Sequence, residues 1–468
     1  MSVPFTAADV VAWTGARIVR GSSAVVFAGT GIDTRSLGPG VLFVAIRGER
    51  HDAHDFLADA VARGASGLLV ETGRAIPGGL AEAVCVLETD DTIRALGAIG
   101  AGHRARFEGP VVAITGSNGK TTTKEMTASI LGLRSPCLKT PGNWNNQFGL
   151  PLTLLLREAS HRSIVVEIGM NHRGEIAPLV AIARPTVGLI TNVGTAHIEN
   201  LGSQDEIAAE KGELVAGLDA GAVAVLNADD PRVLAQRGRT RAKIVTFAEH
   251  ARADVRAEQV RAAGESGFAF DLVAPQGRMA IEVPGLAATT VTNSLAAAAV
   301  ALAAGVPLDD VAEGLARHRN VGGRMEEIRL ARGIRVINDT YNANPQSMAV
   351  ALRSLAELKG AGRGLAVLGD MGELGETAAP EHRATGRLVA ELGIDWLVVV
   401  GRLARETAAG AVEAGMDPGR VRVAGDHASA SAEVERILGT NDWVLVKGSR
   451  SSRMERVVEA LASGAVGG

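Results

Sequence analysis

The stretch that most constrains how this chain can fold is residues 111–122, which reads VVAITGSNGKTT. Its first four residues are apolar and mostly β-branched, which predicts a buried strand, and a helix is predicted from about residue 121 to 131. A short glycine-containing turn joins the strand to the helix. That order directs several backbone N–H groups and a helix N-terminus at one point, which suits a polyphosphate.

The residues that end this turn favour a nucleotide site. Lys120 adds a mobile cation for the outer phosphates, and the hydroxyl of Thr121 can bind their Mg²⁺. The turn, G-x-x-G-K-T, is shorter than the usual P-loop, and Ile114 stands where that pattern has its first glycine. The alternative is an ordinary strand-to-helix turn with a solvated lysine, but strand, glycines, Lys-Thr pair and helix all coincide here. The predicted nucleotide-binding residues are Gly116, Ser117, Asn118, Gly119, Lys120, Thr121 and Thr122.

The composition is that of a globular protein without a nucleic-acid partner. A net charge of −4 argues against sequence-independent nucleic-acid binding, and an aromatic content of 3% argues against stacking on single-stranded bases. Cys85 and Cys137 are too few for a disulfide framework, so we expect buried thiols in a reducing compartment. Neither a signal peptide nor a membrane span is predicted. We expect a cytoplasmic monomer.

The chain of 468 residues is long enough for about three domains, and the predicted fold class is α/β. We place the domains at residues 1–107, 108–320 and 321–468. In the first, strands are predicted at 41–46, 67–70 and 84–87, and helices near 56–62 and 92–104. In the other two, strands alternate with helices, which predicts mostly parallel sheets with ligands at the carboxyl ends of the strands.

Apolar runs mark the strands of the second and third domains. In the second domain they lie at 111–114, 163–168, 187–191, 222–226 and 243–247, and in the third at 336–338, 364–368, 396–400, 421–424 and 443–446. The runs 267–273 and 278–283, separated by Ala-Pro-Gln-Gly, predict an antiparallel hairpin at the edge of the second sheet. An alanine-rich helix is predicted from about 292 to 304.

Two polar side chains follow predicted strands of the second domain. Glu167 ends one apolar run, and His197 comes shortly after the next. Taken singly, Glu167 is more typical of a helix cap and His197 of a surface residue. Because the carboxyl ends of parallel strands meet at one edge, both should lie beside the phosphate-binding turn. There a carboxylate and an imidazole can hold Mg²⁺.

Several other polar residues have local structural explanations. Lys211 lies on a predicted helix, where a solvated lysine paired with a neighbouring glutamate is the simplest interpretation. Asp33, Asp229 and Asn344 suit the N-cap positions of helices. In the third domain, polar loops follow three predicted strands, and together they could form a second wall of a cleft. These loops are residues 338–345, 369–375 and 447–450.

Taken together, these residues resemble the Mur ligases, a family of ATP-dependent amide ligases of peptidoglycan precursor synthesis. The resemblance covers essentially the full length of the chain. It rests on motifs that occur in the order of the family pattern. They are Thr-Gly-Ser-Asn-Gly-Lys-Thr at 115–121, Glu167, Thr-Asn-Val-Gly-Thr-Ala-His at 191–197, Asn-Ala-Asp-Asp at 227–230, Arg324 and Asp339.

The resemblance implies a role for each domain and for further residues. The first domain would be a small α/β domain that binds the UDP end of a precursor through Thr34 and Arg35. The second would be a P-loop ATPase-type domain and the third a Rossmann-like domain that closes over it. The implied catalytic residues are Lys120, Glu167, His197 and Lys211, with Thr121, Glu167 and His197 binding Mg²⁺. Further ATP contacts are implied for Asn293, Arg324, Asp339 and Asn342.

The resemblance also gives Lys211 a second interpretation besides that of a solvated lysine. Several Mur ligases carry a carbamoylated lysine at this place, which turns a cation into a carboxylate able to support a second metal. One departure from the family pattern concerns Thr289 and Thr290, which stand where members tend to have His-Asn. The resemblance therefore leaves open whether these two threonines contact the nucleotide, although Asn293 is present.

Within the family, the chain most resembles the ligases that join D-alanyl-D-alanine to UDP-N-acetylmuramoyl-tripeptide. The resemblance rests on residues 143–151, 339–345, 369–375 and 447–450. Asn145 and Asn146 of the first segment are the implied substrate contacts. Ligases of the preceding step would tend to show Tyr-Ala-His near residue 341 and a diamino-acid motif, and the sequence has neither. Two alternatives are a related amide ligase such as folylpolyglutamate synthase and a non-catalytic nucleotide-binding scaffold.

Overall fold

The computed structural model describes residues 2–48, 50–81 and 83–464. Three large sheets hold most of the strands, and each is built from one continuous stretch of the chain. Helices cover these mostly parallel sheets, so the predicted α/β class is confirmed. The domain boundaries after residues 107 and 320 stay a prediction. Residues 465–468 of the third predicted domain lie outside the described residues.

The N-terminal stretch forms a five-stranded sheet and a separate two-stranded one. Its strands are β1 (Phe5–Thr6), β2 (Arg17–Arg20), β3 (Val26–Phe27), β4 (Gly29–Gly31), β5 (Val41–Val44), β6 (Gly67–Glu71) and β7 (Cys85–Thr89), and its helices are α1 (Ala7–Thr14), α2 (Leu57–Ala62) and α3 (Thr92–Ala105). The larger sheet has the order β2-β7-β6-β5-β4, in which only β2 runs antiparallel. Leu96 and Ile99 of α3 join its core.

The central stretch forms a nine-stranded sheet. Its strands are β8 (Val111–Thr115), β9 (Cys137–Lys139), β10 (Ser163–Glu167), β11 (Val187–Ile190), β12 (Val223–Asn227), β13 (Lys243–Ala248), β14 (Val255–Ala262), β15 (Gly267–Ala274) and β16 (Gly277–Pro284). The order is β16-β15-β14-β13-β12-β11-β8-β10-β9, in which β15 runs antiparallel to its neighbours β14 and β16 and all other pairs are parallel. The predicted hairpin is therefore β15–β16, at the edge of the sheet.

Helices lie on both faces of the nine-stranded sheet. They are α4 (Lys120–Leu131), α5 (Gly149–Leu155), α6 (Ile176–Ala183), α7 (Ile198–Leu201), α8 (Gln204–Ala216), α9 (Pro231–Ala235), α10 (Thr289–Ala303) and α11 (Leu308–Ala316). Strand β8 shows why both faces must be covered: Val111 and Ala113 enter one apolar core, while Val112 and Ile114 enter the other. A strand that is apolar at every position is stable only when it is buried on both sides.

The C-terminal stretch forms a six-stranded sheet. Its strands are β17 (Glu326–Arg329), β18 (Arg335–Asp339), β19 (Gly364–Leu368), β20 (Trp396–Val400), β21 (Val421–Ala424) and β22 (Trp443–Lys447), and its helices are α12 (Pro345–Lys359), α13 (Ala378–Glu391), α14 (Ala404–Glu413), α15 (His427–Ile437) and α16 (Glu455–Gly464). The order is β17-β18-β22-β19-β20-β21, parallel except for β17. None of the helices within the described residues is long and apolar enough to cross a membrane.

Two of the strands that the sequence did not predict, β14 and β17, are rich in charged residues. β14 carries arginines and a glutamate and has a bulge between Glu258 and Arg261, with Gln259 at φ 53°. β17 is a charged strand at the edge of its sheet. Helix α10 also begins three residues earlier than predicted, at Thr289. Cys85 is buried as expected, whereas Cys137 is only partly buried.

Candidate active site

The phosphate-binding turn has the strand–turn–helix form that the sequence predicted. Gly116 has φ 147°, and a Cβ atom built on it would lie 1.8 Å from the hydroxyl oxygen of Thr191, so a side chain is excluded there. Gly119 has φ 82° and is the residue before the first turn of α4. The Nζ atom of Lys120 donates to the carbonyl of Gly116 at 2.8 Å, so the cation folds back over the turn. Burial lowers the pKa of Lys120.

The loop after β11 holds the turn in place. The hydroxyl of Thr191 donates to the carbonyl of Asn118 at 2.7 Å, and the backbone N–H of Asn118 donates to Oδ1 of Asn192 at 2.9 Å. The backbone N–H of Gly194 donates to the hydroxyl of Ser117 at 2.8 Å. Strands β11 and β8 are neighbours in the sheet, so this loop is beside the turn by topology. The shape of the turn therefore depends on residues 191–194 as much as on its own sequence.

Glu167 lies at the end of β10, next to β8, and its side chain is buried, with the residue 2% exposed. Its carboxylate accepts a hydrogen bond from the hydroxyl of Thr121 at 2.7 Å and another from Nδ2 of Asn145 at 2.9 Å. Its backbone N–H donates to the hydroxyl of Thr140 at 2.9 Å. The helix-cap interpretation of Glu167 is wrong, because this carboxylate accepts from side chains of the crevice.

His197 lies at the start of α7 with φ 66°, a left-handed conformation that is uncommon outside glycine. Its Nδ1 atom lies 2.5 Å from a carboxylate oxygen of Glu373, which belongs to the loop after β19. This contact with His197 holds the pKa of Glu373 below its usual range. This contact between side chains thus joins the central sheet to the C-terminal sheet. The imidazole is 19% exposed and faces the crevice rather than bulk solvent.

Lys211 lies on α8 and is 2% exposed, so the interpretation as a solvated lysine is wrong. Burial lowers its pKa well below the usual range, and the nearby positive charge of Lys120 lowers it further. Glu210, the neighbouring glutamate, instead accepts hydrogen bonds from the backbone N–H groups of Gly174 and Ile176 at 2.9 Å each. The side chain of Lys211 lines the crevice. Burial disfavours the charged form of this amine.

The C-terminal sheet supplies the opposite wall. Lys447 is buried at the end of β22, where its Nζ atom lies 2.5 Å from the carboxylate of Asp339 and 2.9 Å from the carbonyl of Asn342. The guanidinium of Arg324 lies 3.9 Å from the ring centre of Tyr341. The second contact stacks a guanidinium on the face of an aromatic ring, and both residues line the crevice with the phosphate-binding turn.

Two side chains of the C-terminal wall, Asn344 and Gln346, form hydrogen bonds directly with the central wall. Nδ2 of Asn344 donates to Oδ1 of Asn118 at 2.8 Å, and the hydroxyl of Thr195 donates to the side-chain oxygen of Gln346 at 2.9 Å. Asn344 is also the predicted N-cap of α12, since its Oδ1 accepts from the backbone N–H of Ser347 at 2.9 Å. One side chain thus ends a helix of one wall and contacts the phosphate-binding turn of the other.

Most of the predicted site residues line one crevice of about 670 Å³ between these walls. They are Ser117, Asn118, Gly119, Lys120, Thr121, Thr122, Asn145, Asn146, Glu167, His197, Lys211, Asn293, Arg324, Asp339 and Asn342. Gly116 lies behind the turn and contributes through its carbonyl. Thr34 and Arg35 are not among the lining residues: they belong to the N-terminal sheet region, where the guanidinium of Arg35 forms a paired contact with Asp33, the N-cap residue of a 3₁₀ turn.

The structure also adds residues that sequence reasoning did not assign. Thr289 and Thr290 line the crevice beside Asn293, so the departure from the family pattern lies within it. Gln346, in the first turn of α12, and Glu373 line it as well, and for Glu373 its position in a polar loop after a strand was the available signal. The expected N-cap role of Asp229 is wrong. Asp230 caps α9 because Pro231 takes the first helical position, and Asp229 instead accepts from backbone N–H groups of residues 249–251.

The donor set suits a magnesium ion shared with phosphates better than a metal held by protein alone. Within the described residues, no group of three or more His, Cys, Asp and Glu side chains is placed to hold a metal. Mg²⁺ usually takes only one or two carboxylates from a protein and completes its shell with phosphate oxygens and water. The buried carboxylate of Glu167, with the hydroxyl of Thr121 against it, provides such a partial site.

Comparison with known proteins agrees with this geometry. The sequence profile of the Mur ligase middle domain matches residues 114–301, and that of the Mur ligase glutamate ligase domain matches residues 323–450. The UDP-N-acetylmuramoyl-tripeptide–D-alanyl-D-alanine ligase of Escherichia coli strain K12 is 38% identical over 438 residues, which cover 92% of each chain. The crystal structure of MurF from Acinetobacter baumannii shares 34% identity, with a TM-score of 0.89 over 99% of both chains.

A nucleotide complex is known for a more distant relative. The MurF ligase from Thermotoga maritima, solved in complex with ADP, is 27% identical, with a TM-score of 0.82 over 94% of this chain and 98% of that one. With its P-loop crevice between mostly parallel sheets, the chain belongs to the Mur ligase family, a class of ATP-dependent ligases. Among the members compared, it is similar over nearly its whole length to the E. coli ligase and to the Acinetobacter MurF. The predicted family is confirmed.

Proposed function

We propose that this protein joins D-alanyl-D-alanine to UDP-N-acetylmuramoyl-tripeptide in an amide bond and consumes ATP in doing so. One observation carries the proposal: Lys120, the Thr121–Glu167 pair and His197 all line a single crevice whose other wall comes from the C-terminal sheet. A phosphoryl donor and an acyl acceptor can therefore meet at one place. The E. coli relative carries the name of this reaction.

The chemistry explains why such a crevice is needed. A carboxylate resists attack by an amine, because oxide would have to leave. Transfer of the γ-phosphoryl group of ATP to the carboxylate of the tripeptide gives an acyl phosphate, from which phosphate can leave. The free amine of the dipeptide then attacks the acyl carbon, and the tetrahedral oxyanion collapses to the amide. Water must be kept out, because it would hydrolyse the acyl phosphate.

The side chains of the crevice would divide this work among them. Lys120 would swing from the carbonyl of Gly116 to the outer phosphates and neutralise charge during transfer. Arg324 and Asp339 would hold the nucleotide from the C-terminal side, and Asn293 from α10. Asn145 and Asn146 would orient the tripeptide near Glu167. The contacts of Asn344 and Gln346 with the central sheet would keep the crevice closed and dry.

Mg²⁺ is the cofactor that these residues fit. Glu167, Thr121 and His197 would hold it, and the ion would supply positive charge to the oxygens of the transferring phosphoryl group. The chain's own part is to present a buried carboxylate beside a hydroxyl, with an imidazole lining the same crevice. Asn145 keeps that carboxylate in place by donating to its other oxygen.

Lys211 would carry a carbamoyl group. Its amine is buried, and burial lowers its pKa well below the usual range, which favours the unprotonated form that can attack carbon dioxide. Starting from the ammonium form, the reaction forms an N–C bond and releases two protons in all, so a cation becomes an anion. A negative charge at this position would relieve the repulsion between Lys211 and Lys120, and it could support a second magnesium ion.

The first predicted domain would bind the UDP end of the precursor. Thr34 and Arg35 are our proposed contacts, and Arg35 would have to exchange its present partner, Asp33, for the ligand. We place the boundaries of the three domains at 107/108 and 320/321. We further propose that the protein is a monomer and that it works in the cytoplasm, where its nucleotide substrates are found.

Acceptor dependence tests this function. The protein is incubated with ATP, UDP-N-acetylmuramoyl-tripeptide and either D-alanyl-D-alanine or a single diamino acid, and both ADP and the mass of the product are measured. We expect ADP and a UDP-N-acetylmuramoyl-pentapeptide only when precursor and dipeptide are both present. A preference for the diamino acid would assign the protein to the neighbouring ligation step. ADP release that does not depend on the precursor would contradict the ligase function.

A further inference from the structure

Lys124 is a buried cation that the chemistry described so far does not use. It lies on α4 one turn after Lys120, and it is only 1% exposed. A lysine is seldom buried so completely unless its ammonium group has partners that replace the lost water. The partners of Lys124 therefore indicate what the protein gains from this charge.

The ammonium group of Lys124 ties α4 to the end of β9. Its Nζ atom donates to the backbone carbonyl of Thr140 at 2.8 Å, and it lies 3.0 Å from a carboxylate oxygen of Glu125. The other oxygen of Glu125 contacts Lys139, the last residue of β9. A hydrogen bond from an ammonium group to a carbonyl is charge-assisted and stronger than a neutral one, and Glu125 balances the buried charge. The contact therefore fixes where the backbone leaves β9.

Thr140 connects this contact to Glu167. It is fully buried, and its hydroxyl accepts from the backbone N–H of Glu167 at 2.9 Å. Its own backbone N–H donates to the carbonyl of Val165 at 3.0 Å. A single residue thus joins the ammonium group on α4 to the strand end that carries the proposed magnesium ligand. A shift of Thr140 would move Glu167 relative to Thr121, its partner on the first turn of α4.

The segment between β9 and α5 begins at Thr140 and also reaches the crevice, where Asn145 and Asn146 line it. The Nδ2 atom of Asn145 donates to the carboxylate of Glu167 at 2.9 Å, and its backbone carbonyl accepts from the N–H of Gly169 at 2.9 Å. The segment therefore gives Glu167 a second contact in addition to that of Thr140. It also carries the two asparagines that would orient the tripeptide.

We propose that Lys124 is a positioning residue for the ligation, which acts through Thr140 to hold Glu167 in place. The asparagines that follow Thr140 are held by the same contact. Because Lys120 and Lys124 lie on one helix, the group that binds the phosphates keeps a fixed position relative to those that bind the metal and the tripeptide. The inference rests on the proposed function, since it concerns how the two substrates of that reaction are aligned.

Lys124→Met and Lys139→Met form a matched pair of variants for steady-state kinetics. Lys124→Met keeps a side chain of similar length but cannot donate to Thr140, whereas Lys139 is 47% exposed and joins the network only through Glu125. In Lys124→Met we expect kcat to fall by about tenfold to a hundredfold, because a small misplacement of the reacting groups has an effect of that size. The Mg²⁺ requirement and KM for the precursor should rise by about threefold or more, while KM for ATP stays within about twofold of wild type. Lys139→Met should behave as wild type.

A double-mutant cycle tests whether the effect passes through Thr140. Thr140→Val removes the hydroxyl that accepts from Glu167 but keeps the carbonyl that accepts from Lys124. If Lys124 acts through Thr140, the losses of kcat in the two single variants overlap, and the double variant loses clearly less than their product. If Lys124→Met does not fold, Lys124→Gln takes its place with the same expectations, because its uncharged side chain is too short to reach the carbonyl.

Three results would overturn the positioning role and leave the ligase function standing. The first is a Lys124→Met variant with wild-type kcat, Mg²⁺ requirement and precursor KM. The second is a double variant whose loss equals the full product of the single losses. The third is a rise of KM for ATP as large as that for the precursor, which would indicate general damage to the crevice. If the wild-type protein makes no pentapeptide from precursor and dipeptide, the proposed function itself fails.

Discussion

The hydroxyl oxygen of Thr121 lies 2.7 Å from a carboxylate oxygen of Glu167, and the hydrogen bond between them joins the first turn of α4 to the end of β10. The two strands that carry these elements are neighbours, with Glu167 opposite Ile114 in the register. The position of the carboxylate beside the phosphate-binding turn is thus set by sheet topology. A buried carboxylate held in this way can serve a metal–phosphate complex at the same point on every turnover.

Replacing that carboxylate should therefore remove most of the activity. Glu167→Gln keeps the size of the side chain but loses its negative charge, so we expect kcat to fall by about a hundredfold or more and the Mg²⁺ requirement to rise. The measurement is the ligation rate as a function of Mg²⁺ concentration. Glu175→Gln is the matched control, because Glu175 also lines the crevice but is 41% exposed on its side chain. Equal loss in both variants would contradict the special role of Glu167.

Carbamoylation of Lys211 predicts a dependence on carbon dioxide. We expect activity to fall when bicarbonate and dissolved carbon dioxide are removed, and to return when they are restored. With ¹³C-labelled bicarbonate, an NMR signal of a carbamate should appear in the wild-type protein and be absent from Lys211→Gln. Lys211→Arg should be inactive, because a guanidinium stays cationic. A wild-type protein with full activity and no carbamate signal would leave Lys211 as an unmodified buried amine.

His318 predicts how stability changes with pH. Burial lowers its pKa from 6.5 to about 4, against a raising effect of Glu125 and with Arg319 and Lys139 adding to the lowering. Between these pH values the unfolded chain binds the proton and the folded chain does not, so the folded state loses stability as the pH falls. The loss reaches about 3 kcal/mol near pH 4.

Urea unfolding between pH 4 and pH 7.5 measures this effect. In His318→Gln the free energy of unfolding should fall less steeply over that range than in the wild type. His172→Gln is the control, because the side chain of His172 is 67% exposed. A pH profile of His318→Gln that runs parallel to the wild-type profile would show that His318 does not titrate differently on folding.

Asn344 allows two roles of one side chain to be separated. Asn344→Ser keeps an oxygen that can cap α12 but loses the amide that donates to Asn118. We expect its stability to stay within about 0.5 kcal/mol of wild type, whereas Asn344→Ala should lose about 1 kcal/mol. Both variants should raise KM for ATP by about threefold to tenfold, the value of one hydrogen bond. Thermal unfolding gives the stability, and steady-state kinetics gives the KM for ATP. An unchanged KM in Asn344→Ser would mean that the contact with Asn118 does not support nucleotide binding.

Local sequence determined much of the fold and of the phosphate-binding turn. The apolar run at residues 111–114 and the glycines after it permitted only a buried strand and a tight turn, and both are present. Strands β14 and β17 could not be predicted in the same way. Their charged side chains are tolerated because β17 is an edge strand and one end of β14 is largely exposed. Pairing with a neighbouring strand, which no local pattern encodes, makes them strands.

The residues that depend on tertiary packing were the hardest to interpret from sequence. Lys211 was expected in solvent because it has glutamates beside it, yet α8 packs so that the lysine is buried near Lys120. The contact between His197 and Glu373 joins residues 176 positions apart on different sheets, so only the approach of the two walls brings them together. Asp229 was misassigned by one position, because the proline after Asp230 fixes where the helix begins.

Substitution of Lys120 tests the central claim most directly. Lys120→Ala removes the cation of the phosphate-binding turn and leaves the proposed UDP site in the N-terminal stretch untouched. Precursor binding by titration calorimetry should be unchanged, while ADP formation in the presence of precursor and dipeptide should fall by about a hundredfold or more. Undiminished ADP formation in this variant would contradict the claim that phosphoryl transfer takes place in the crevice.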